Sequence, residues 1–168
     1  VVVGAKDVGL LSGLRPNQRY LVHALDTDIE DVQAARESLR TAGLYGNVSV
    51  DRFDGQSLPY VEDLANLVVV TEQGDLAIDE IMRITAPEGV VLVRRGDSWS
   101  GSVKPRPDTI DDWSHFLHDA GGNAVAQDSE VGSPNSLRWV ADPQWCRSHE
   151  FPSSVAACIT TGGRIISI

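Results

Sequence analysis

The apolar positions of the first part of the chain fall into two rhythms. Short unbroken runs occur at Val1-Val2-Val3, Tyr20 to Leu25, Val48 to Val50 (extending toward Phe53), Leu64 to Val70 and Val90 to Arg94. Each has the length of a strand, and the unbroken character of residues 64–70 fits a strand buried on both faces. Helical spacing separates them. Asp28 is placed to cap a helix in which Val32, Ala35, Leu39 and Ala42 recur, with Gly43 where a C′ glycine is expected. Asp75 to Ala86 reads as a second helix, with Ile78, Ile81, Met82 and Thr85 on one side and Pro87-Glu88-Gly89 as its stop. A loop at Gly4 to Gly9 and a short helical turn at Leu10 to Leu14 complete the list. Strands that alternate with short helical crossovers predict an α/β fold with a doubly wound parallel sheet.

The pattern changes after residue 95. Residues 96–110 read as a linker, with Gly, Ser and the stiff run Lys104-Pro105-Arg106-Pro107. Beyond it, Trp113, the Gly121-Gly122-Asn123 turn, Trp139 and Trp145 suggest a β segment. Two strand-like runs, Val155 to Thr160 and Arg164 to Ile168, flank Thr161-Gly162-Gly163 and predict a hairpin. The expected organisation is therefore a domain over 1–95, a linker over 96–110 and a β segment over 111–168. Val1 and Ile168 both stand inside strand-like runs, so a piece of a longer chain is expected, and a targeting segment could lie outside it.

Charge narrows the partners. The 168 residues carry a formal net charge of −10 with no concentrated basic patch, which argues against nucleic acid. No apolar run approaches the roughly 20 residues of a membrane span. Cys146 and Cys158 make no framework and no Cys-x-x-Cys. Two buried thiols are expected, with a single bridge as the alternative.

Chemistry concentrates at strand ends. Asp26 closes the second apolar run, and an acid at the carboxyl end of a strand is placed to accept from two ribose hydroxyls. Gly4 follows the first run, Asp54 follows the third, and Leu58-Pro59-Tyr60 comes just after. Arg83-Ile84-Thr85-Ala86-Pro87-Glu88-Gly89 precedes the fifth. Over about residues 1–95 this pattern resembles the class I S-adenosylmethionine-dependent methyltransferases, and it implies a Rossmann-like sheet. The resemblance implies cofactor binding at Gly4 and Ala5 in the glycine loop, at Asp26 and Thr27 by the ribose, and at Asp54 and Gly55 by the adenine. The loop departs from the family's Gly-x-Gly-x-Gly. It reads Gly4-Ala5-Lys6-Asp7-Val8-Gly9, with Lys6 and Val8 where glycines are expected. Side chains there block close backbone approach, or demand a positive φ that β-branched Val8 disfavours. No closing antiparallel hairpin and no substrate-side motif at Thr71-Glu72-Gln73-Gly74 can be read. Two other readings stay open. One is a non-enzymatic scaffold with a lost cofactor site. The other is a nicotinamide-binding enzyme, which would need Gly-x-Gly-x-x-Gly.

A second string runs Trp113-Ser114-His115-Phe116, Gly122-Asn123, Leu137-Arg138-Trp139, Ser153-Ser154-Val155 and Gly163-Arg164-Ile165-Ile166-Ser167-Ile168. Over about residues 111–168 it resembles the opening of PQQ-like (quinoprotein-like) β-propellers. The remainder of the propeller would lie elsewhere, and this piece alone would not bind PQQ. The pairing is similar to large bacterial proteins of planctomycete type, which implies an exported or periplasmic location. His115, His118 and Asp119, with His149, invite a metal reading. Strand alternation separates His115 from His118, so histidines packed by Trp113 and Phe116 are expected, with Trp139 and Trp145 in a blade core. His23 reads as a satisfied core histidine. No nucleophile–His–acid arrangement is legible.

Overall fold

The computed structural model describes residues 1–129 and 157–167. The chain divides into two compact units, Val1–Pro105 and Arg106–Ile168.

The first unit contains β1 (Val2–Val3), α1 (Val8–Gly13), β2 (Val22–Asp26), α2 (Ile29–Thr41), β3 (Val48–Arg52), β4 (Ala65–Val70), α3 (Ile78–Ile84), β5 (Thr85–Arg95) and β6 (Ser98–Val103). They form one sheet in the order β3-β2-β1-β4-β5-β6. β1 to β5 pair in parallel, and β6 runs antiparallel to β5. This is the doubly wound, Rossmann-like α/β fold expected from the sequence. Strand alternation sends Val2, Val22, Ala24, Val48 and Val50 to one face, against Leu11, Val32, Ala35 and Leu39 of α1 and α2. Val3, Leu25, Val68, Val70, Val91 and Val93 go to the other face, against Ile81 and Ile84 of α3. Burying one such side chain fully stabilises by about 1.5–3 kcal/mol.

Helix starts follow local chemistry. The Asp28 carboxylate accepts from Glu30 N–H at 2.8 Å and opens α2, and Gly43 turns at φ 68° just past its end. Asp7 caps α1 in the same way through Leu10 N–H at 2.8 Å. α1 therefore begins at Val8, earlier than the helical turn expected at residues 10–14.

Two expectations are corrected. The helix read over 75–86 spans only Ile78–Ile84, and Thr85 is already extended at ψ 129°. Pro87 lacks an N–H and disfavours helix at Ala86, so the chain enters β5 at once. Glu88 then adopts φ 63°, and a Cβ at Gly89 would lie 2.7 Å from the Ala86 carbonyl oxygen. The second correction concerns the linker. Residues 98–103 are β6, joined to β5 by the two-residue turn Gly96-Asp97, with Gly96 at φ 63°. The edge continues to Lys104, whose N–H donates to Gly89 O at 2.9 Å and whose ammonium reaches Asp63 at 2.6 Å. The alternation Trp99, Gly101, Val103 against Ser98, Ser100, Ser102 carried the strand signal, while the Ser/Gly composition masked it.

In the second unit, β7 (Cys158–Thr161) and β8 (Arg164–Ser167) pair antiparallel. Gly162 and Gly163 both take positive φ, 51° and 69°, as the expected hairpin requires. Thr160 N–H donates to Trp113 O at 2.7 Å. Residues 115–118 form a tight reversal, in which His115 N–H donates to His118 O at 3.1 Å, so straight-strand alternation does not apply to them. His118 is buried, meets Asp111 at 2.6 Å and packs edge-on to Trp113. Among the described residues no group of three or more His, Cys, Asp or Glu is placed to hold a metal. Cys158 is exposed rather than buried. Leu137-Arg138-Trp139, Trp145, Cys146, His149 and Ser153-Ser154-Val155 lie outside the described residues.

Candidate functional site

The strand order reverses between β1 and β4. In open α/β sheets the crevice beyond the strand ends at such a point is where ligands bind. A cavity of about 250 Å³ opens there, at the carboxyl ends of β1 to β4. Gly4, Asp26, Thr27, Asp54 and Gly55 all line it, together with Glu72, Gln73, Gly74 and Asp75. Five of the six residues expected at the cofactor site therefore share one concavity.

Asp26 is nearly buried, at 6% exposure, and backbone donors hold it. Ala5 N–H donates to Oδ2 at 2.7 Å, and Asp28 N–H donates to Oδ1 at 3.0 Å. Each oxygen keeps a further lone pair. Ala5, the sixth residue, is itself fully buried and contributes its N–H to Asp26 rather than a wall of the cavity.

Gly4 has a structural reason to be glycine. Its φ is 101°, and a Cβ would lie 2.0 Å from Thr71 Oγ1. Thr71 is tied down in turn, because its hydroxyl donates to Val3 O at 2.9 Å. The ends of β1 and β4 thus approach too closely for any side chain at this position. Gly55, at φ 84°, plays the matching part between β2 and β3: a Cβ there would lie 3.1 Å from Thr27 Cγ2.

Asp54 turns the loop after β3. Its Oδ1 accepts from Gln56 N–H and Ser57 N–H, both at 2.8 Å, leaving Oδ2 without a hydrogen-bond partner among the described residues. The Ser57 N–H, then that of Gln56, hold the carboxyl below the usual carboxylate range. The loop is pinned further along by α3. Glu80 accepts from Leu58 N–H at 2.8 Å, and Arg83 donates to Glu80, to Tyr60 O at 2.9 Å and to Leu58 O at 3.1 Å.

The two suspect positions of the glycine loop behave differently from expectation. Val8 sits in the first turn of α1, not at positive φ. Lys6 does not line the cavity. Its ammonium donates to both carboxylate oxygens of Glu72 at 3.0 Å and stands 3.7 Å from Asp31.

Sequence reasoning missed Glu72, Gln73 and Asp75. Their signal was positional, because they follow β4 across the switch point from β1. It also missed a chain of side chains outside the cavity. The Tyr60 hydroxyl meets His23 Nδ1 at 2.8 Å, and His23 Nε2 meets Asp51 at 2.9 Å. With Nε2–H donating to Asp51, Nδ1 is left to accept from Tyr60. Arg36 also contacts Asp51. This has the connectivity of an acid–His–hydroxyl relay, but burial pushes the Tyr60 phenol up, away from a nucleophile's range. The chain ties the loop carrying Leu58 and Tyr60 to β2 and β3.

No protein-family model matches the chain, and no curated protein matches it. Solved structures do. The cyclase SpnF is 24% identical, with a TM-score of 0.48, over 55% of this chain and 36% of its own. A protein from Galdieria sulphuraria described as a candidate sarcosine dimethylglycine methyltransferase is 17% identical, with a TM-score of 0.49, over 55% and 37%. An S-adenosylmethionine-dependent methyltransferase from Aquifex aeolicus is 19% identical, with a TM-score of 0.47, over 62% and 60%. The chain thus spans little more than a third of the length of the first two.

Proposed function

We propose that residues 1–105 bind S-adenosylmethionine, as a methyltransferase-type domain. One observation carries this reading: Asp26, Thr27, Asp54 and Gly55 converge with Gly4 on a single cavity at the switch point. The donor set fits the group. Asp26, fixed by two backbone N–H groups, offers a lone pair on each oxygen to the ribose hydroxyls. Asp54 Oδ2 is open to the amino group of the base. Gly4 lets the ends of β1 and β4 approach, and Gly55 lies close to Thr27.

The electrostatics separate this ligand from a dinucleotide. Four carboxylates line the cavity, Asp26, Asp54, Glu72 and Asp75, and no lysine or arginine does. A cationic sulfonium is favoured beside such a wall, whereas a pyrophosphate is repelled. When bound, the cofactor would supply an electrophilic methyl group. This chain's part would be to hold the ribose, seat the base and keep negative charge around the sulfonium.

For the second unit we propose the opening of a PQQ-like propeller, supported by the β7–β8 hairpin and its link to Trp113. A scaffold role without cofactor is the competing reading of the first unit. Thermal unfolding of the 168-residue chain with S-adenosylhomocysteine or a nicotinamide dinucleotide separates the readings. The proposal expects a rise in Tm with the first ligand only. A rise with the dinucleotide only, or with neither, contradicts it.

A further inference from the structure

Lys6, one of the two residues that break the glycine pattern, is bonded to Glu72, a residue of the cavity wall. With ribose at Asp26 and base at Asp54, the base would lie toward β3 and the rest of the ligand on the β1–β4 side, because the sheet order is β3-β2-β1-β4. Glu72 follows β4 and lines the cavity, with Lys6 bonded to both of its oxygens. This deepens the proposed function and rests on it.

We propose that Lys6 and Glu72 form a subsite for an α-amino carboxylate, the zwitterionic end of the cofactor. Glu72 takes the ligand's ammonium and Lys6 takes its carboxylate. Both side chains are about half exposed, at 55%, so their mutual ion pair is weak and readily shared. Opposite charges meet opposite charges, and no net charge is introduced. A bare carboxylate would otherwise face the acidic wall unaided. Glu72, Asp31 and Asp26 all act to keep the Lys6 ammonium charged. Lys6 would thereby replace, with a side-chain cation, the backbone donors that a glycine loop exposes.

The test is calorimetric titration of the whole chain with two neutral thioethers. S-adenosylhomocysteine carries the amino-acid end, and 5′-methylthioadenosine lacks it. The wild type is expected to prefer S-adenosylhomocysteine by about tenfold or more, the scale of one lost charge-assisted contact. Lys6→Ala and Glu72→Gln should each erase most of that preference and leave 5′-methylthioadenosine affinity unchanged, and Lys6→Arg should retain it. Unchanged affinity for 5′-methylthioadenosine also reports that each variant is folded. Three results overturn the subsite. Both thioethers could bind wild type equally, the variants could keep the preference, or both ligands could weaken together. Binding of neither thioether instead overturns the adenosyl site itself, and the subsite with it.

Discussion

The loop after β1 and the loops after β2 and β3 meet at one cavity but reach it by different means. After β2 and β3 the chain presents carboxylates. Asp26 is fixed by Ala5 and Asp28 N–H groups, and Asp54 by its own Asx turn. After β1 the chain presents a short helix capped by Asp7, with Lys6 turned to Glu72. A departure from a glycine pattern therefore need not fill the cavity behind it. What matters is where the substituted side chain goes. Val8 goes into a helix and Lys6 goes to Glu72, so neither lines the cavity. Gly4, the one glycine of the loop that steric contact demands, is present.

Substitutions sharpen this contrast, and the largest effect is expected at Gly4. Gly4→Ala forces a side chain into positive φ and onto Thr71, and should cost about 2–4 kcal/mol in urea unfolding. A loss well below that range would mean the β1 and β4 ends can move apart, and the contrast between the loops would weaken. Asp26→Ala comes next. It strands the Ala5 N–H, and should cost about 1–3 kcal/mol of stability together with at least about tenfold in adenosyl affinity. Stability lost with affinity retained would leave Asp26 a purely structural acid. Arg83→Met should unpin the loop after β3 at about 1–2 kcal/mol, visible as faster amide exchange at Leu58 and Tyr60. Unchanged exchange there would show that the Glu80–Leu58 and His23–Tyr60 contacts hold the loop without Arg83.

The smallest effect concerns protonation of Asp54. Its folded pKa lies below its unfolded value, so the stabilisation is fully present above the unfolded value. It is lost as pH falls through the folded one. The turn at residues 54–57, followed by the Gln56 and Ser57 amide signals, should be intact at about pH 5 and open only below about pH 4. Opening already at pH 5 would mean those N–H bonds do not hold the carboxylate.

Much of this was legible because parallel strands are buried on both faces. The runs around Val22–Leu25 and Val68–Val70 could hardly be anything else, and the Asp28 cap and Gly43 fixed α2. The strand ends then located Asp26 and Asp54. Composition misled at β6, where Ser and Gly suggested a linker while Gly96-Asp97 made a hairpin turn. Pro87 marked the end of α3 but not that β5 begins at Thr85. Glu72 and Asp75 were invisible as a motif, since only the crossover to β4 brings them to the cavity that Asp26 lines. The Tyr60–His23–Asp51 chain was hidden for the same reason, being assembled from three segments distant in sequence.

The most direct test of the proposed adenosyl site is calorimetric titration of the chain with S-adenosylhomocysteine, in parallel with Asp54→Asn. Asp54→Asn keeps an acceptor oxygen for the turn and replaces the free carboxylate oxygen, the group proposed to face the base, with an amide NH2. Micromolar binding to the wild type is expected, with a clear loss of affinity in the variant and only a small fall in its urea midpoint, because a neutral amide holds the turn less firmly than the carboxylate. No heat at millimolar ligand from folded wild-type protein would contradict it, and would leave the first unit as a scaffold.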